Sequence, residues 1–136
     1  MPTLSPQDAL IYLMIVAASS DAAMTDRELA RAEALIAELP VFEGYDRKRL
    51  PVVANECVDL INGAHDIEDV LTMALAAIPK RLQDTAYVLA VEIAAVDLRL
   101  EQEELRLLEM IRDHLDLDRL TTAAIEAAAR ARYRKA

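Results

Sequence analysis

The chain has 136 residues, which suits one domain around a single buried core. It is 54% hydrophobic but only 4% aromatic, with two Gly and no Trp, which excludes a turn-rich β protein and requires a core of Ala, Leu, Ile, Val and Met. A net charge of −9, from 24 acids against 15 bases, excludes a general nucleic-acid binder, because phosphate recognition needs a basic footprint.

In chain order, Ser5 and Pro6 open a first helix that is expected to run to about Ser20. Leu10 to Ala18 leave it almost no polar face, so it should be central. This apolar run is ten residues, Ala9 to Ala18, whereas a membrane span needs about 20, so no transmembrane segment is expected. Thr25 and Glu28 form a Thr-x-x-Glu capping box for a second helix. Its stripe is Leu29, Ala32, Leu35, Ile36 and Leu39, and Pro40 ends it.

Val41 to Tyr45 reads as a connection, with Gly44 as its flexible point. Asp46 caps a third helix over about Arg47 to Asn62, with an irregular first turn at Pro51. Val52, Val53, Cys57, Val58, Leu60 and Ile61 form its buried side, and Asn62-Gly63 stops it. Asp66 caps a fourth helix. Pro79 marks the start of a fifth, reaching about Val96 and apolar all round except at Glu92. A sixth helix starts near Glu101 with Leu105, Leu108, Ile111 and Leu115 on its stripe. A seventh starts near Asp118 or Thr121 and runs towards Tyr133, with a basic end at Arg130, Arg132, Arg134 and Lys135. The fold class is therefore all-α, a single-domain bundle of six or seven helices over 1–136.

Two stretches are alike at a constant offset of 76 residues. Asp21 falls on Asp97, Met24 on Leu100, Glu28 on Glu104 and Leu29 on Leu105. Each copy is an apolar helix running into an aspartate, a short turn and an acidic amphipathic helix. The spacing predicts two pseudo-repeated helical hairpins, approximately 5–40 and 79–116.

Carboxylates gather at both turns. From Asp21 to Glu43 there are six acids against two bases, and from Asp97 to Asp118 eight against three. Such groups can offer oxygens to a hard cation. Glu101 and Glu104 sit three apart and face one way on a helix, with Asp97 across the turn. Asp21 and Glu28 repeat the outer pair. The alternative account is capping: Glu28 partners Thr25, and acids at a helix start are stabilising in themselves. Glu101 replaces the capping Thr25, and glutamate is a poor N-cap, so the second copy is the better candidate. Eight residues from Asp21 to Glu28 are too few for an EF-hand loop of about 12.

Other candidates read as structural. Glu92 should reach an arginine, with Arg81, Arg99 and the C-terminal arginines in view. His65 and His114 lack metalloenzyme spacing. Cys57, the one cysteine, excludes an intrachain disulfide or cysteine zinc site and points to a reducing cytoplasm, as does the missing signal-peptide pattern. No Ser-His-Asp arrangement, glycine-rich phosphate loop or His-x-x-x-His motif is present, so no enzyme and no organic cofactor are expected. The Ala-rich stretch Ala123 to Ala131 has a smooth side that suits close packing within the domain or in a homodimer.

The double motif of alanine-rich helix, Asp, turn and a following Glu resembles the TerB-like family of tellurite-resistance and co-chaperone domains. The resemblance covers most of the chain. Where that family places Gly after the Asp, this sequence has Ala22 and Leu98, and a turn needing positive φ would strain Leu98. The resemblance implies a non-enzymatic stress-response domain. It also implies a divalent cation, Ca²⁺ or similar, at Asp21, Glu28, Asp97, Glu101 and Glu104. The alternative is a protein-interaction module without metal, its acidic faces recognising a protein partner. Tellurite itself finds no thiol pair here, and the surface charge would repel its oxyanion.

Overall fold

The computed structural model describes residues 4–18, 24–63, 65–96 and 102–136, with side chains from 106 onward in the last stretch. Among the described residues there are seven α-helices and no strand: α1 (Pro6–Ala18), α2 (Asp26–Glu38), α3 (Leu50–Asn62), α4 (Ile67–Ala76), α5 (Gln83–Ala95), α6 (Gln102–His114) and α7 (Arg119–Arg132). None is long and apolar enough to cross a membrane.

The two apolar helices take the centre. Every residue of α1 from Asp8 to Ala18 is buried, as is α5 from Leu89 to Ala94. They pack on one another more than any other pair does. The remaining helices form a shell: α3, α4 and α6 reach α1, while α2, α6 and α7 reach α5. Fully burying one Leu or Ile contributes roughly 1.5–3 kcal/mol. An exposed pair such as Lys80–Asp116, 81% exposed on both sides, contributes about 0–1 kcal/mol. The aliphatic core, not surface charge, holds the bundle.

Helix starts follow local chemistry. The Ser5 hydroxyl accepts from the Asp8 amide at 3.0 Å. Asp66 and Asp69 form a reciprocal capping box for α4, and Asp118 caps α7 through the Thr121 amide at 2.7 Å. Asp46 caps a 3₁₀ turn, Arg47–Arg49, and α3 proper begins at Leu50 with Pro51 in its first turn, where the missing N–H does no harm. A second such turn, Lys80–Leu82, precedes α5. Gly44 sits at φ +81°, a conformation that glycine adopts without strain, in the turn that follows the 3₁₀ segment Pro40–Phe42.

Two expected core positions point outward. Leu29 is 38% exposed and Val52 is 52% exposed. In α2 the inward face runs through Glu28, Ala32, Leu35 and Ile36, so Leu29 lies at its edge. In α3 the inward face runs through Leu50, Val53 and Cys57, which turns Val52 to solvent. The bounds of α2 and α6 are offset by the 76 residues seen in the sequence, and α1 and α5 by 77. The connecting turns at 19–23 and 97–101 lie outside the described residues.

Candidate functional site

Glu28 is the one expected cation ligand whose side chain is described. Its Oε1 accepts the Thr25 amide at 2.8 Å, and its own amide donates to Thr25 Oγ1 at 3.1 Å. It is 2% exposed. The reciprocal box at the start of α2 thus engages its carboxylate and turns it inward. Asp21, Asp97 and Glu101 lie outside the described residues. Glu104 falls within α6, its side chain outside the description. Among the described residues no group of three or more His, Cys, Asp or Glu is placed to hold a metal ion. The histidines stand apart: His65 is 4.0 Å from Asp69, and His114 Nδ1 meets the Met110 carbonyl at 2.7 Å.

A recurring arrangement handles the inward-facing carboxylates. Asp8 accepts the Tyr45 hydroxyl at 2.7 Å and Arg49 at 2.7 Å. Glu126 accepts the Tyr87 hydroxyl at 2.6 Å and Arg112 at 3.2 Å. Glu92, 5% exposed, accepts the Tyr133 hydroxyl and pairs with Arg132 Nε at 3.2 Å. A phenol and a guanidinium together meet each charge, as the buried Asp8 and Glu92 require and the half-buried Glu126 also receives. The tyrosines respond in kind. Burial, then the hydrogen bond to its carboxylate, raises each of Tyr45, Tyr87 and Tyr133 above the ordinary phenol value, with the nearby arginines opposing. Burial, with Glu56 next, pushes Tyr12 up to about 12. Cys57 is fully buried and burial pushes its thiol up to about 12, which suits a small core residue.

Glu92 thus finds its partner among the C-terminal arginines. The roles of Asp8 and Glu126 give no signal in the sequence. An acid in a first turn, as Asp8 is, reads as a dipole complement, and its partners lie 37 and 41 residues away.

The third feature is a cavity of about 410 Å³. α6 and α7 both pack on α5 far more than on each other, and Arg112–Glu126 bridges them. The space between is floored by Val91, Ala95, Leu108 and Ala129, with Tyr87 and Tyr133 beside them. Arg130, Arg134 and Glu109 stand exposed at its rim.

No protein-family model matches this sequence, and neither a curated protein nor a solved structure matches it. Fold and core define a class by themselves: an all-α bundle with two central apolar helices.

Proposed function

We propose that this chain acts by binding and not by chemistry, as a TerB-like stress-response module whose second acidic turn takes a divalent cation such as Ca²⁺. The contrast at the two helix starts carries this reading. Thr25 closes a capping box with Glu28, which engages that carboxylate and buries it. Glu101 stands at the matching place before α6, where a glutamate caps poorly. The reciprocal box accounts for Glu28, whereas the sequence offers Glu104 no Thr partner of that kind. Asp97, Glu101 and Glu104 are the proposed ligand set, since Glu28 of the first turn is engaged by its capping box.

The test is calorimetric titration with Ca²⁺, Mg²⁺, Mn²⁺ and Zn²⁺. Binding to the native state also raises the melting temperature, and at a hundredfold excess over Kd it adds about 2.7 kcal/mol of stability. Asp97→Asn with Glu104→Gln should abolish both signals, while Thr25→Ala should keep the heat of binding. A wild-type chain that gives neither heat nor a thermal shift at millimolar metal overturns the cation reading.

A second reading, a protein-interaction module without metal, draws on Leu120, which stands 81% exposed at the start of α7. It predicts silent metal titrations and weaker partner capture by Leu120→Ser.

A further inference from the structure

We infer that the cavity between α5, α6 and α7 binds a small amphipathic anion, an alkyl carboxylate of medium chain length. Its chain would lie on the apolar floor and its head group would meet Arg130 and Arg134. This goes beyond the cation reading and does not depend on it.

Three observations converge on that chemistry. The first is size. About 410 Å³ falls within the roughly 300–1,000 Å³ of small-molecule pockets and is small for a docked helix. The second is lining. Val91, Leu108 and Ala129 are buried side chains that offer no polar atom. The polar groups nearest them are already engaged: Tyr87 and Arg112 with Glu126, and Tyr133 with Glu92. An uncharged polar ligand would find few partners inside, whereas an alkyl chain needs none.

The third observation is charge. Arg130 and Arg134 sit four apart on the last turn of α7 and just beyond it, and among the described residues neither has an ion-pair partner. Among the described residues Glu109 is the one exposed carboxylate at the rim, and Arg112 and Glu126 neutralise each other. Counted over the described residues, the mouth is therefore net positive in a chain of net charge −9. Two guanidiniums over an apolar floor match a single anionic head on an apolar tail, with paired charge-assisted hydrogen bonds to the carboxylate.

Calorimetry with decanoate below its micelle concentration, against decanol as the uncharged control, tests this on the full chain. The wild type should take up one decanoate saturably and bind decanol at least about tenfold more weakly. Arg130→Gln with Arg134→Gln should weaken decanoate about tenfold and leave decanol and the melting temperature unchanged. Ala95→Leu, which fills the cavity from its half-buried end, should abolish both. Circular dichroism on each variant confirms the fold. No saturable uptake by the wild type, equal binding of decanol, or an unchanged affinity in the double Gln variant overturns the inference. Uptake of an acidic peptide in place of decanoate overturns it too. A chain that binds decanoate but not Ca²⁺ separates this inference from the cation reading, as does the converse.

Discussion

Tyr45, Tyr87 and Tyr133 each donate to a carboxylate that the fold has drawn inward, and each phenol is held above its ordinary value, as is Tyr12. The hydrogen bond needs the neutral phenol, and burial disfavours the phenolate. Below pH 10 both folded and unfolded chains keep these protons, and the stabilisation is full. Between the ordinary value of 10.0 and the raised values, only the unfolded chain releases them, so stability falls as pH rises. An alkaline titration followed by tyrosinate absorbance should show little ionisation in the native chain near pH 10. It should then show a cooperative rise coincident with loss of helical dichroism. Gradual ionisation ahead of unfolding would mean that the phenols are not held as described.

At the scale of elements, most of the fold was legible because its determinants are local. All-round apolar runs marked α1 and α5 as central, and burial of Asp8–Ala18 and Leu89–Ala94 agrees. Thr25, Asp66 and Asp118 each cap the helix that the pattern assigned to them. The 3₁₀ turn Arg47–Arg49 is the irregular first turn expected from Pro51, whereas Lys80–Leu82 was less legible, since those three residues carry no breaker that separates them from α-helix. Least legible were the cavity and the Asp8 and Glu126 networks. They depend on how α6 and α7 splay on α5 and on partners 14 to 41 residues apart, which no local period encodes. Where the signal is local it can be tested locally. Thr25→Ala removes the acceptor for the Glu28 amide and so opens one half of the capping box, while the backbone amide at 25 still donates to the Glu28 carboxylate. It should lower the free energy of unfolding by about 1 kcal/mol in urea titrations. An effect near zero would show that the box does not hold α2 in place.

For the whole molecule, the question is whether α7 is an integral wall of the bundle or a separable flap. It packs on α5, and beyond its last turn Tyr133 reaches Glu92 on α5 while Arg31 of α2 stacks over the ring at 5.6 Å. Three helices therefore meet at one phenol, which argues that α7 unfolds with the core in one transition, as small single domains do. Tyr133→Phe deletes the hydroxyl and leaves Glu92, 5% exposed, with Arg132 alone. A carboxylate left short of a partner loses about 1–3 kcal/mol. Glu92→Met removes the same bond from the other side, and Arg132, with its side chain 57% exposed, can turn to water. Combining the two leaves an apolar contact in place of the ionic one, and such swaps are often close to neutral. Tyr133→Phe should shift the urea midpoint of the whole transition downward without changing its slope. Adding Glu92→Met should recover most of that loss, giving a non-additive cycle. A new early transition in Tyr133→Phe, with the main midpoint unmoved, would instead identify α7 as a flap held only by its terminal phenol.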